Sequence, residues 1–400
     1  MDQNGFFVKS DRIVLAGGVV ASGYLPVADG AFRPVVQELP EGAEVLDYTG
    51  KWVTPGFVDT HIHGFLGHDV MDCDPEGINA ASVELARHGT TSWTPTTLTQ
   101  PAEQIGEACA SVWQADQLRG DDFVGARIEG IFLEGPFFTA EHAGAQNPAH
   151  MSDPSVEQVC AWQDEAHGLI CRASLAPERP GSAEFCAEMS LMGVATALGH
   201  SNASYEEGVA AVGSGATSFV MVRFDQQQAE LAFAATGLGH RAPGLVGAAM
   251  TTSETYAELI CDGIHVQAPA ARAMVNAKGW QHVALVSDCL RCGGMPDGDY
   301  ELGDFPIRLQ DGVAHLVDED GGMGNIAGSV LTLARAVKNV VDWGAATAEQ
   351  AIRMASEIPA RMSGVDDCCG VIQAGRAADF NVMGADLELE ATYVGGVPVR

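Results

Sequence analysis

His61 and His63 lie two residues apart in Pro55-Gly56-Phe57-Val58-Asp59-Thr60-His61-Ile62-His63-Gly64. On an extended strand, side chains alternate with period two, so both imidazoles share a face and can chelate a divalent metal. Three more apolar runs end in residues of related chemistry: Leu133-Glu134-Gly135, Gly199-His200-Ser201 and Val286-Ser287-Asp288. Each has an ordinary explanation when taken alone. A Glu before Gly-Pro is usually a solvated turn residue, a single His a hydrogen-bonded core residue, and an Asp after a strand a helix N-cap. Together they offer imidazoles and a carboxylate from strand ends far apart in the chain, which describes a metal centre. Asp288 beside such a centre is the natural acceptor of a proton from metal-bound water. Arg241, in Gly239-His240-Arg241-Ala242-Pro243-Gly244, and His265, in Asp262-Gly263-Ile264-His265, add loop donors suited to an anionic substrate.

Residues this scattered meet only if the fold gathers strand ends at one rim. From about 56 to 365, strand-like runs (131–133, 173–175, 195–198, 217–220, 283–286) alternate with amphipathic helical stretches (78–88, 102–118, 154–167, 204–212, 268–277, 328–342, 347–356). About eight β-then-α units in some 300 residues predict a (β/α)₈ TIM-like barrel, whose active sites form where the strand C-termini converge. A doubly wound open sheet is the alternative, but no glycine-rich phosphate loop follows a first strand. Both ends of the chain read instead as short strands broken by Gly-rich turns, predicting a small β-sandwich domain built from both termini. The expected division is 1–55 and 366–400 for that domain and 56–365 for the barrel.

The composition excludes several classes. Hydrophobic residues make up 46% of the 400 and charged ones 18%, enough for a large core and unlike a disordered chain. There are 21 Lys+Arg against 53 Asp+Glu, a net charge of −32. That argues against binding nucleic acid or an anionic membrane. Only Lys9, Lys51, Lys278 and Lys338 are lysines; the other basic residues are arginines, able to grip a phosphate or carboxylate, and an anionic substrate needs a local exception to the acidic field. No apolar run reaches the roughly 18–20 residues of a membrane span, and Met1-Asp2-Gln3-Asn4 lacks the basic start of a signal peptide. Ten scattered cysteines form no disulfide framework, so reduced thiols and a cytoplasmic location are expected. Cys289 and Cys292 lack the second pair that a zinc site would need.

The order of these clusters resembles the N-acetylglucosamine-6-phosphate deacetylases of the amidohydrolase superfamily across nearly the whole chain. The likeness is carried by VTPGFVDTHIHG at 53–64, GTTSWTPTTLT at 89–99, GIFLEGPFF at 130–138, LGHSNA at 198–203, HRAPGLVGAA at 240–249, AELICDGIHV at 257–266, VSDCLRCGG at 286–294 and GNIAGSVLTL at 324–333. EGPF, GHSNA and DGIHV are the specific signals; HxH and the chain ends indicate only the superfamily. The resemblance implies Glu134 and His200 as ligands of a principal divalent metal, Zn or Fe, with His61 and His63 serving a second ion or shaping the first. It implies Asp288 as the catalytic carboxylate and an amino-sugar phosphate as substrate. Arg241 and His265 match phosphate-binding positions, the arginine reaching across a homodimer interface, and Ala327 and Gly328 match the wall of the sugar pocket.

Two positions depart from the family pattern. Met221 stands where a third His ligand is usual, and a thioether is a poor ligand for Zn²⁺ or Fe²⁺. Gln146 stands where a His is common, able to donate a hydrogen bond to an acetyl carbonyl but not to supply charge. Met221 motivates a rival reading, a non-catalytic sugar-phosphate binder derived from the enzyme, although such a binder has no need of Asp288. Asp225 or His240 is a possible replacement ligand. Another amidohydrolase chemistry using a carboxylated Lys ligand ranks last, because no Lys ends a barrel strand.

Overall fold

The computed structural model describes residues 5–220 and 241–400. Among them, eight parallel strands form a closed ring: β1 Phe57–Ile62, β2 Thr90–Pro95, β3 Ile131–Phe137, β4 Ile170–Leu175, β5 Ala195–Leu198, β6 Ala216–Phe219, β7 Tyr256–Leu259 and β8 Val283–Leu285. Two single bridges complete the ring, Thr96 with Phe132 between β2 and β3, and Ile62 with Cys289 between β1 and the end of β8. Parallel strands of a barrel are covered on both sides, which is why they read as continuous apolar runs rather than alternating ones. The expected (β/α)₈ barrel is present.

Helices α1 Pro75–Arg87, α2 Ala102–Gln117, α3 Val156–Glu165, α4 Ser182–Leu191, α5 Tyr205–Gly213, α6 Gly244–Thr251, α7 Ala268–Lys278 and α8 Leu333–Asp342 wrap the ring, followed by α9 Ala348–Met354 and α10 Glu357–Met362. Their starts are encoded locally. Asp74 caps α1 ahead of Pro75, and Ser204 with Glu207 forms a capping box on α5. In α8, buried Leu333, Ala336, Val337 and Val340 fall three and four apart, the stripe a helix needs to pack on a barrel.

The terminal strands form the expected small β domain, hydrogen-bonded as one eight-stranded sheet from residues 6–55 and 380–398. That sheet folds back on itself: Ala31 bridges Ala377, and the Phe32 ring lies 6.2 Å from Phe380. Val8, Ile13, Leu25, Val53 and Val382 give it a core of its own. One feature differs from the sequence expectation: a four-stranded antiparallel sheet at 298–326 interrupts the barrel unit between β8 and α8. Its strands are short and its turns rich in Gly and Asp, so no eight-residue stretch gives a clear period. No described helix is long and apolar enough to cross a membrane.

Candidate active site

The strand ends place the chemistry as a barrel should. His61 is the penultimate residue of β1 and His63 lies one past its end; Glu134 is within β3. His200 follows β5 by two residues and Asp288 follows β8 by three. All five are buried. His200 and Asp288 both have left-handed backbone, with φ of 48° and 51°. A non-glycine residue tolerates that only where its surroundings over-determine it. Asp288 N donates to His61 O at 2.8 Å, and Ser329 N donates to Asp288 O at 2.7 Å. His200 O accepts from Thr139 N at 3.1 Å. The next two residues, Ser201 and Asn202, both donate to the Glu178 carboxylate.

Each of the three imidazoles presents Nδ1 to an acceptor: His61 to Glu258 Oε2 at 2.9 Å, His63 to Thr96 O at 3.2 Å, and His200 to His142 O at 2.9 Å. A carbonyl or ionised carboxylate only accepts, so Nδ1 carries the proton and Nε2 is left facing the site. The three Nε2 atoms converge on one carboxylate. His61 Nε2 and His200 Nε2 lie 3.2 and 3.3 Å from Glu134 Oε1, and His63 Nε2 lies 3.2 Å from Oε2. Asp288 Oδ1 is 3.3 Å from His63 Nε2 and 3.6 Å from His61 Nε2.

These residues fit a divalent cation. The ligand atoms of His61, His63 and Glu134 lie within 4.8 Å of one another. Buried His61 Nε2 has no well-aligned hydrogen-bond partner among the described residues, a gap that a metal bond would close. Burial alone would lower the His61 pKa, but Glu134 and Glu258 hold it well above the ordinary histidine value. Burial is likewise overcome at His63, where Asp288 and Glu134 push it up to about 9. Burial would raise the Glu134 carboxyl, but the neighbouring imidazoles, His61 foremost, keep it well below its usual range. Such a cluster draws in positive charge. Without a metal it takes protons, and a divalent cation would displace them.

A cleft above these groups is lined by His63, Glu134, Gln146, His200, His265, Asp288, Leu290, Leu302, Ile326 and Gly328, among others. His265 is tied through Nδ1 to Asp262 Oδ2 at 2.6 Å, and Asp262 is held below the ordinary carboxylate range despite burial, chiefly by that bond. Gln146 does not reach freely into the cleft: its Nε2 donates to Glu134 Oε2 and its Oε1 accepts from Thr99 N at 2.8 Å. Ala327 is fully buried and is not part of the lining, whereas its neighbours Ile326 and Gly328 are. Arg241 is exposed and does not line this cleft either. Met221, Asp225 and His240 lie outside the described residues. A second cavity of about 720 Å³, between the barrel and the terminal sheet, holds none of these groups; its Arg119 and Arg127 are already engaged by Asn79, Ser82 and Asp379.

Sequence reasoning missed the groups beneath the site. Glu258 on β7 meets His61, and Arg172 on β4 pairs with Glu258. The available signal was a single charge inside an otherwise apolar strand run, which a closed barrel can only point inward or bury under a helix. The 298–326 sheet also sends Leu302 and Ile326 into the cleft; Leu302 carried no signal, and Ile326 only its place beside Ala327 in the 324–333 motif.

The amidohydrolase family model matches residues 52–399. The N-acetylglucosamine-6-phosphate deacetylase of Vibrio furnissii is 35% identical over 342 residues, covering 86% of this chain and 81% of that protein. The N-acetylgalactosamine-6-phosphate deacetylase of Escherichia coli O157:H7 is 31% identical over 389 residues, covering 97% and 98%. Among solved structures, a variant N-acetyl-D-glucosamine-6-phosphate deacetylase of Mycobacterium smegmatis, in complex with N-acetyl-D-glucosamine-6-phosphate, superposes with a TM-score of 0.88 at 27% identity over 99% of each chain. The N-acetylglucosamine-6-phosphate deacetylase of Thermotoga maritima gives 0.82 at 28% identity, again over 99% of each. This chain belongs to the amidohydrolase family, within its N-acetylglucosamine-6-phosphate deacetylase group.

Proposed function

We propose that this chain hydrolyses the N-acetyl group of N-acetylglucosamine 6-phosphate, releasing acetate and glucosamine 6-phosphate. The observation that carries the reading is the convergence of three imidazole Nε2 atoms on Glu134, with Asp288 at their side on the floor of one cleft. His61, His63 and Glu134 would hold a divalent cation, and His200 across Glu134 leaves room in the ligand set for the same ion or a second. Mixed imidazole and carboxylate donors suit Zn²⁺ or Fe²⁺. When bound, such a cation supplies polarisation of the acetyl carbonyl and a water acidic enough to ionise near neutral pH.

The protein's own groups do the rest. Asp288 takes the proton of the attacking water and returns it to the amine nitrogen as the C–N bond breaks, so that the leaving group departs neutral. Gln146 fixes Glu134 rather than the acetyl group. His265, oriented by Asp262, faces the sugar phosphate, and Gly328 with Ile326 and Leu302 shapes the pocket around the ring. Binding energy gathered there holds the amide against the reacting groups. Arg241, exposed and away from this cleft, would complete the phosphate grip of a neighbouring copy in a homodimer. A cytoplasmic setting fits ten cysteines, none of them paired.

Acetate release from N-acetylglucosamine 6-phosphate, measured on a sample whose metal content is known, tests the proposal. The expected result is turnover that follows metal content, stops on chelation and returns with Zn²⁺ or Fe²⁺. A fully loaded protein that releases no acetate overturns it. N-acetylgalactosamine 6-phosphate belongs in the same assay, because similarity to the E. coli O157:H7 enzyme runs over 97% of this chain. Faster turnover of that epimer would reassign the sugar and leave the chemistry standing. Light scattering with an Arg241→Ala variant tests the dimer: a monomer in solution refutes the shared phosphate grip.

A further inference from the structure

Below the metal-binding side chains, the barrel interior holds an ion pair that the proposed chemistry does not use. Arg172 and Glu258 are both fully buried, and Arg172 Nη1 pairs with Glu258 Oε1. The arginine is itself fixed: Nη2 donates to Ser218 Oγ at 3.0 Å, and the guanidinium sits 4.3 Å over the Phe132 ring. The other carboxylate oxygen, Glu258 Oε2, meets His61 Nδ1 at 2.9 Å. Phe132 also packs edge-on against the His61 imidazole, with ring centroids 5.1 Å apart. Strands β1, β3, β4, β6 and β7 thus each contribute one residue to a chain that ends on a single candidate ligand.

We propose that Arg172 and Glu258 act as positioning residues for the metal centre, holding His61 in the orientation and tautomer that turns the Nε2 lone pair toward the cation. Glu258 fixes the ring and makes it a better donor, as a carboxylate behind a metal-bound imidazole does. Arg172 offsets the Glu258 charge and stops the carboxylate from rotating away. Phe132 and Ser218 hold Arg172 in turn. The competing account is a buried ion pair that merely braces the barrel. Energetics argue against that as its whole role: replacing a buried pair by apolar side chains is often neutral or stabilising.

The inference rests on the metal reading above, and zinc affinity of metal-stripped protein separates the two. Wild type, Glu258→Gln and the double variant Arg172→Met with Glu258→Met are titrated with Zn²⁺ against a chromophoric chelator, alongside melting temperatures. Glu258→Gln is expected to weaken zinc binding by about 10- to 100-fold, with kcat recovering at saturating zinc and KM for the sugar phosphate unchanged. The double variant removes both charges, so it is expected to fold with a melting temperature near wild type and still bind zinc weakly. It therefore carries the test should the single variant fail to fold. Wild-type zinc affinity in a folded variant overturns the positioning role alone. Failure of the wild type itself to bind zinc overturns the metal reading, and this inference with it.

Discussion

Asp288 carries the strongest claim at the scale of a single residue. Its left-handed backbone, the bond from its N–H to His61 O and the bond from Ser329 N to its carbonyl fix one carboxylate oxygen 3.3 Å from a candidate metal ligand. Replacing it by Asn keeps size and hydrogen bonding but removes the group that accepts and returns a proton. Asp288→Asn is expected to lower kcat by about 10²- to 10⁴-fold while metal content, assayed on the same preparation, stays at the wild-type level. Near-normal turnover in that variant would remove Asp288 from the mechanism. This residue, with His61, His63, Glu134 and His200, was legible in the sequence because each ends or follows an apolar run. Arg172 and Glu258 were not, because a charge in mid-strand has no local partner to reveal it: Glu258 is 86 positions from Arg172 and 197 from His61. Ala327 illustrates the opposite failure. Its motif was read as part of the sugar-pocket wall, yet Ala327 itself is fully buried while Ile326 and Gly328 on either side line the cleft, a difference of backbone direction that the sequence does not state.

At the scale of elements, the seam between the turn after β8 and the segment entering α8 positions the Asp288 carboxylate. Leu290 N donates to Ser329 O at 3.0 Å, Ser329 N to Asp288 O at 2.7 Å, and Ser329 Oγ to Ser287 O at 2.5 Å, zipping 287–290 to 329. Gly328 sits within this seam at φ +46°, and a Cβ there would lie 2.6 Å from Leu290 Cδ2 and 2.9 Å from Asp288 O. Gly328→Ala must therefore strain its own backbone and push on the Asp288 turn. The expected cost is about 1–3 kcal/mol, read as a lower melting temperature. With it should come a fall in kcat and no loss of zinc, since His61, His63 and Glu134 stand on other strands. An unchanged kcat would mean that the seam does not set Asp288. Helices α1, α2, α3, α5, α7, α8 and α9 were anticipated to within a few residues at most ends. α4, α6 and the six-residue α10 were missed, the first two for physical reasons. α6, GLVGAAMT, is buried on nearly every side and shows no period, while α4 alternates small, acidic and apolar residues without a continuous stripe. The 298–326 sheet escaped because its strands are partly exposed and their faces mixed.

At the scale of the whole molecule, the question is how the acidic chain and its buried cluster respond together to pH and metal. The general plan was legible, since strand-rich ends around a β-then-α middle leave few alternatives, whereas closure of the ring rests on single bridges that no local pattern encodes. The buried cluster makes a prediction with a definite sign. In metal-free protein the His63 pKa is raised from its ordinary value to about 9, and His61 is raised well above its own. A folded-state pKa above the unfolded value means that the native state binds the extra proton. That stabilisation is complete below about pH 6.5 and drains away as pH rises through about 9. For His63 it amounts to about 3 kcal/mol at most, undiminished by solvent because the ring is buried. Zinc would replace those protons, so loaded protein keeps its stability over the same range, and proton competition makes zinc binding tighter as pH rises. The gap in melting temperature between zinc-loaded and chelator-treated protein is therefore expected to widen steadily from pH 6.5 to 9. Glu134→Gln, which removes the carboxylate that all three Nε2 atoms face, should flatten that dependence. A gap that stays constant with pH in the wild type would mean that His61 and His63 neither gain protons in the stripped protein nor lose them to the metal, and the electrostatic account of the site would fall.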